Sequence, residues 1–240
     1  TDNTLDESTV PTHKTDWWPW GGIVGDVYLV ETPNDYIRNA YLQLNPDNFS
    51  EAVFKLQMAT KSSQQKVILE IPELKYKEEF RTDSSGFIQE NIAISPELWS
   101  PSNPKLYKVI ISSQNESISD DIGFRSIQTR GQKVYLNNNE IKFKGIAMHS
   151  EPIGAPGPAF SKEHFKKLLA TASDLNINFI RAAHYPYTRH LAKVADQVGL
   201  MVWEEIPVYW NIDWENPSTL KIAKDQINRL VQRDQNRASV

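Results

Sequence analysis

The sequence predicts a multidomain chain in which an antiparallel β-sandwich is followed by a run of strand–helix units, and three observations carry that reading. Short, mostly alternating apolar segments recur from Asp26 to about Thr129, separated by Pro, Asn, Asp, Ser or Gly that supply turns. After Gly131 the pattern changes to apolar residues three and four apart, as on amphipathic helices, each run preceded by a short apolar strand. Upstream, Asp16-Trp17-Trp18-Pro19-Trp20-Gly21-Gly22 follows neither period.

In the first region the segments 27–30, 36–44, 52–59, 66–71, 87–94 and 106–111 read as strands. Their close spacing suits a small antiparallel sandwich better than βαβ units. Adjacent side chains on a strand point apart, so three tryptophans in four positions cannot form one regular face. A rigid loop is expected there, with one or two indoles packed inward and one available to a ligand.

In the second region residues 141–149 read as a strand, followed by a Pro/Gly-rich loop over 151–158. Ser161 is placed to cap a helix whose stripe is Phe165, Leu168, Leu169, Ala172 and Leu175. A second strand over 178–184 leads to Thr188 as a cap, to the stripe Leu191, Val194, Ala195 and Val198, and to Gly199 as a left-handed stop. Residues 200–203 form a third strand. Asn216 with Pro217 starts a third helix, with Leu220, Ala223, Ile227, Leu230 and Val231 as its stripe. Strand–helix repeats of this period predict parallel strands, in a doubly wound sheet or a (β/α)8 barrel. No G-x-G-x-x-G or G-x-x-x-x-G-K loop follows any strand, which weakens the nucleotide readings. A barrel takes about 250 residues, so the chain is expected to end near a fourth strand.

Composition excludes several classes. The 240 residues are 40% hydrophobic, enough for real cores, and the net charge of -4 disfavours nucleic acid as a partner. With no cysteine, disulfides, thiolate metal sites and a cysteine nucleophile are excluded; cytoplasm and periplasm fit equally. No run approaches the roughly 18 apolar residues that span a bilayer, so no membrane partner is expected.

The polar residues that stand out lie at strand ends: His149 after the first strand, His184 after the second, and Glu204-Glu205 after the third. In a barrel these ends form one rim, where such folds place their sites. Each histidine could equally be structural. Arg181, inside the second strand, cannot shed its charge and needs a carboxylate, for which Glu204 or Glu205 is the candidate. No H-E-x-x-H or other ligand spacing occurs, and no G-x-S-x-G elbow, so neither metal nor serine chemistry is expected.

The chain resembles glycoside hydrolase family 2, the β-galactosidase, β-glucuronidase and β-mannosidase group. The residues that carry the resemblance run in family order: Asp16 to Ile23 with Asp26-Val27-Tyr28-Leu29, then Leu98-Trp99-Ser100-Pro101 to Tyr107 and Gly123-Phe124-Arg125. Phe143-Lys144-Gly145 with His149, Ile180-Arg181-Ala182-Ala183-His184-Tyr185-Pro186-Tyr187, Gly199 to Pro207, and Arg233-Asp234-Gln235-Asn236-Arg237 to Val240 complete the set. The resemblance implies the end of a sugar-binding jelly roll over 1–33, an immunoglobulin-like β-sandwich over 34–129, and the first three β/α units of a TIM barrel over 130–240.

It further implies a retaining exo-β-glycosidase whose acid/base and nucleophile glutamates lie beyond Val240, so no residue of this chain is expected to be either. His149 and His184 are similar to rim histidines that approach the sugar. Arg181 is similar to an arginine that holds the acidic cluster, Glu205 matches the family's glutamate, and Glu204 stands where many relatives carry aspartate. Trp18 and Trp20 are candidates for stacking on a sugar. Tyr185-Pro186-Tyr187 and the run from Glu205 to Trp210 lean toward β-glucuronidase-like members, with β-galactosidase the close competitor. The expected partners are a β-linked carbohydrate, the remainder of the barrel and a second copy of the chain, with no cofactor. The alternative is a non-catalytic carbohydrate-binding or scaffold protein.

Overall fold

The computed structural model describes residues 4–18, 20–23, 25–151, 154 and 157–240. Pro19 of the tryptophan loop and part of the 151–158 loop lie outside the described residues. The chain divides into two compact units, one of residues 29–142 and the other of residues 1–28 with 143–240.

In the first unit, β1 (Ile37–Leu44), β2 (Glu51–Met58) and β5 (Phe87–Ala93) form an antiparallel sheet in the order β1-β2-β5. A second sheet has the order β4-β3-β6-β7, from β3 (Lys66–Ile71), β4 (Tyr76–Arg81), β6 (Tyr107–Ser112) and β7 (Ser117–Ile122). Every second residue of β2 and β3 is buried. Phe54, Leu56 and Met58 from one sheet and Leu69, Ile71, Val109 and Ile111 from the other join a single core. Period-two alternation thus faces two sheets onto one apolar layer.

Within these two sheets, the strands that the pattern does not predict are the polar edges of the second. The strand β4 reads Tyr-Lys-Glu-Glu-Phe-Arg and β7 reads Ser-Ile-Ser-Asp-Asp-Ile, with few buried positions each. Charged side chains on edge strands discourage pairing with other chains, and the same charges hide the strand signal. A meander of β8 (Ile127–Arg130), β9 (Lys133–Leu136) and β10 (Asn139–Ile141) completes the unit. Its second turn places both Asn137 and Asn138 at positive φ, the backbone of a two-residue hairpin.

The second unit carries a three-stranded parallel sheet, β11 (Gly145–Met148), β12 (Phe179–Ala182) and β13 (Met201–Glu204), in that order. Helices follow the strands: α1 (Lys162–Asp174), α2 (Arg189–Val198) and α3 (Pro217–Asp234). Ile180, Ala182 and Val202 from the sheet meet Phe165, Leu169, Leu191, Val194 and Ala195 from the helices in one core. The caps behave unevenly. Ser161 Oγ accepts the His164 N–H at 3.3 Å, Asn216 Oδ1 accepts the Ser218 N–H at 2.9 Å, and Gly199 ends α2 at φ 77°. Thr188 stands at the start of α2, but its hydroxyl accepts no capping bond.

Several expectations are corrected. Residues 27–30 form no strand: Val27, Tyr28, Leu29 and Val30 are all exposed, so no core holds one face of the segment. The expected strand over 141–149 is two short strands, β10 ending at Ile141 and β11 starting at Gly145, because one pairs antiparallel with β9 and the other parallel with β12. Leu175 and Val198, at the ends of their helices, are exposed. The buried side of α3 is Thr219, Ala223, Leu230 and Asp234, whereas Leu220, Ile227 and Val231 face outward. Hydrogen bonds turn the helix that way: Thr219 Oγ1 donates to Ser8 O at 2.8 Å, and Gln226 Nε2 to Val10 O at 2.7 Å. No helix among the described residues is long and apolar enough to cross a membrane.

Candidate functional site

Parallel pairing sets the last residues of the three strands side by side, Met148 against Ala182 and Ala182 against Glu204. The residues that follow therefore emerge along one edge: His149, His184-Tyr185 and Glu205. The ends of β11 and β12 are tied together by Ala183 N–H to Met148 O at 3.1 Å, and by the Tyr187 hydroxyl, within reach of both Met148 O and Ala183 O.

On this edge Arg181 and Glu205 form a two-pronged ion pair, Nε to Oε1 and Nη2 to Oε2 at 3.1 Å. The hydrogen bond to Glu205 holds the Arg181 pKa above its ordinary value. His184 Nδ1 lies 3.4 Å from Arg181 Nη2 and 3.5 Å from Glu205 Oε2. A guanidinium can only donate and a carboxylate can only accept, so that nitrogen faces a donor on one side and an acceptor on the other.

Rings surround the ion pair. His149 meets His184 edge-on with centroids 5.5 Å apart, and His184 lies 4.7 Å from Tyr209. Trp17, from the N-terminal segment of the same unit, sits 5.6 Å from His184, 5.5 Å from Tyr185 and 5.3 Å from Tyr209. Tyr209 donates to Asp16 Oδ2 at 2.5 Å, and this bond raises its pKa; Tyr185 is raised by burial. Two clefts share Trp17 and Trp18 as walls. One, of about 410 Å³, is bordered by Thr15, Asp16, Trp17, Trp18, His149 and Glu151. The other, of about 440 Å³, has aromatic walls that include Trp17, Trp18, Trp20, Phe160 and Tyr185. The first presents carboxylates and an imidazole, the second apolar faces.

A model of glycosyl hydrolases family 2 matches residues 36–125, and the model of that family's TIM barrel domain matches residues 127–240. The chain belongs to glycosyl hydrolase family 2. A putative β-glucuronidase of Formosa agariphila is 26% identical over 254 residues, covering 100% of the chain and 30% of the relative. A β-galactosidase of Halalkalibacterium halodurans is 26% identical, covering 94% of the chain and 25% of the relative. Among solved structures, β-glucuronidase from Ruminococcus gnavus superposes with a TM-score of 0.83 at 21% identity, covering 100% of the chain and 44% of that structure. The chain thus spans less than half the length of these relatives, and about a third or less of the two sequence relatives.

In this family-2 chain four of the residues singled out from the sequence, His149, Arg181, His184 and Glu205, lie together. Glu204 does not join them. Its side chain is only 4% exposed and turns to Arg233, whose Nη2 lies 3.2 Å from Glu204 Oε1. Trp18 and Trp20 face each other with centroids 6.2 Å apart, and both are exposed. Trp17, Tyr185, Tyr209 and Asp16 occur in the sequence motifs but are not singled out there as site residues. Tyr185 was detectable as the immediate neighbour of His184 past a strand end. Tyr209 lies four residues beyond Glu205 in a loop without a period, and only the fold brings it to His184. Among the described residues no group of three or more His, Asp or Glu is placed to hold a metal ion.

Proposed function

We propose that the chain is part of a retaining exo-β-glycosidase that hydrolyses terminal β-linked sugars, β-glucuronides or β-galactosides. The observation that carries this reading is the convergence of His149, His184, Arg181 and Glu205 on one edge of a parallel sheet, within a stretch matched by a family-2 TIM barrel model. Residues 1–33 would end a sugar-binding jelly roll, 34–129 would form an immunoglobulin-like sandwich, and 130–240 would supply the first three β/α units of a (β/α)8 barrel. In support, residues 37–122 build two antiparallel sheets around one core, and 145–234 alternate parallel strands with helices.

Retention needs two carboxyls about 5 to 5.5 Å apart, one attacking and one first donating and then recovering a proton. Glu204 and Glu205 do not serve: one is bound to Arg233 behind the sheet edge, the other to Arg181 upon it. By the family resemblance, the acid/base and the nucleophile would lie beyond Val240. The present residues would form the wall. His149 and His184 approach the sugar, Arg181 fixes Glu205, and Trp18 and Trp20 offer faces on which sugar C–H groups stack. Membership in a hydrolase family leaves the non-catalytic carbohydrate-binding reading without support of its own.

The test is hydrolysis of 4-nitrophenyl β-D-glucuronide and β-D-galactoside by the whole protein, with the product anomer read by proton NMR. Release of the β-anomer from one of them, with kcat/KM lowered in His184→Ala by roughly 100-fold, is expected. No hydrolysis, or release of the α-anomer, would rule the reading out.

A further inference from the structure

Behind the rim lies a second ionic cluster that the proposed chemistry does not use. Arg233 of α3 donates from Nη1 to Tyr187 O at 2.6 Å, from Nη2 to Glu204 Oε1 at 3.2 Å, and from Nε to Asp234 Oδ2 at 2.6 Å. It thereby ties the chain after β12 to the end of β13. Both carboxyls are deeply buried, with Glu204 4% and Asp234 3% exposed. Arg233 Nη2 contacts both Glu204 Oε1 at 3.2 Å and Asp234 Oδ2 at 2.5 Å, which sets the two carboxyls side by side, where a hydrogen bond between them needs a proton. Two ionised carboxylates have no proton to place in such a bond.

Charge balance leads to the same point. The charged groups facing Glu204 are Arg233 and Asp234 from α3 and Asp196 from α2, and Asp196 is paired with buried Arg237. Three carboxyls are set against two guanidiniums, so one proton makes the cluster neutral. Glu204 is where it belongs: Arg237 occupies Asp196, Arg233 contacts Asp234 through both Nε and Nη2, and Glu204 Oε2 is buried with no donor on it. Burial first, and then the Asp234 charge, push the Glu204 pKa up to about 8.

We propose that Glu204 and Asp234 share one proton and, with Arg233, act as a brace that positions His184 and Glu205 on the rim. Glu204 is a positioning residue, acting through Arg233 on the Tyr187 carbonyl and through the chain on Glu205. The effect on catalysis rests on the glycosidase reading above; the shared proton does not.

Two measurements on the whole protein test it. A carboxyl that is protonated when folded and ionised when unfolded contributes stability below about pH 4.5 that is lost as pH rises toward 8. Thermal melting should therefore show Glu204→Gln gaining on the wild type across that window, with the difference level above it. Asp234→Asn should make the same slope shallower, since it removes the Asp234 charge and leaves the burial. A salt-bridged, ionised Glu204 instead gives a level difference between about pH 4.5 and 8, with the wild type losing ground to Glu204→Gln only as pH falls below about 4.5, and that result overturns the proposal. So does failure of Glu204→Gln to fold where Asp234→Asn folds, since an amide has the shape of the protonated acid.

The second measurement is KM at neutral pH on the 4-nitrophenyl glycoside that the wild type cleaves. Glu204→Gln should stay within roughly twofold while Glu204→Ala and Arg233→Met rise roughly tenfold, as a shifted rim predicts. Equal damage from Gln and Ala refutes the protonated brace. If the wild type cleaves neither glycoside, the glycosidase reading and the positioning claim both fail, and the melting curves still decide the proton.

Discussion

Arg181 and Glu205 lie on neighbouring parallel strands and meet through two N–H to oxygen contacts at the edge where the strands end. The fork geometry matters: a planar guanidinium matches both carboxylate oxygens, and an ammonium can match only one. Arg181→Lys in the whole protein is therefore expected to raise KM roughly tenfold while changing the melting temperature little, because the Arg181 side chain is 45% exposed and such a pair adds little to stability. Steady-state kinetics beside a thermal melt separates the two effects. Equal KM values for Lys and Arg at this position would mean that Glu205 needs only a nearby charge.

The tryptophan loop supplies the second prediction. Trp17 is half-buried against His184, Tyr185 and Tyr209, whereas Trp18 is 68% exposed and meets Trp20. Ring pairs of this kind contribute about 0.5–1.5 kcal/mol each. Trp17→Ala, which releases the rings packed on it, and Trp18→Ala, which removes a stacking face, are each expected to raise KM roughly tenfold. An unchanged KM for Trp18→Ala would take Trp18 out of the sugar contact.

How much of this was legible follows from what each residue packs against. The bounds of β3 could be read because Val67, Leu69 and Ile71 alternate into a core, and Gly199 announced the end of α2 by its conformation. The rim was legible because parallel strands put successive strand ends on one edge. The face of α3 was not, since Thr219 and Asp234 are buried by hydrogen bonds that no apolar pattern reports. Nor was the division of labour between Glu204 and Glu205 fully visible. Neighbouring positions predict that the two point apart, but Arg233, some thirty residues on, decides which one is drawn behind the rim.

Close packing beneath β11 gives a third prediction. Gly145 pairs with Phe179, and a Cβ built on it would stand 2.4 Å from Phe179 O and 2.6 Å from the Phe179 ring. Neither the paired backbone nor the ring tilted against Phe143, with centroids 4.8 Å apart, can retreat cheaply. Gly145→Ala is expected to destabilise the protein by about 1–3 kcal/mol, read by urea unfolding. An unchanged midpoint would show that β11 can slide against β12.

The last prediction concerns Asp196, buried on α2. Its Oδ2 accepts from Arg237 Nη1 at 3.1 Å and its Oδ1 from the Ser239 N–H at 2.8 Å, while Ser239 O accepts the Val202 N–H at 2.8 Å. One carboxylate thus holds residues 237–239 alongside β13, and neither member of the ion pair has solvent to fall back on, at 1% and 4% exposed. Removing one partner of a buried pair leaves a charge without compensation, at a cost of about 3–5 kcal/mol. Asp196→Ala should lower the urea midpoint by that amount, and Asp196→Asn by less, because the amide oxygen can still accept from Ser239. The double variant Asp196→Ala with Arg237→Met should recover part of the loss, since no buried charge then remains. If it is less stable than Asp196→Ala alone, the damage comes from lost packing and the ion pair contributes little.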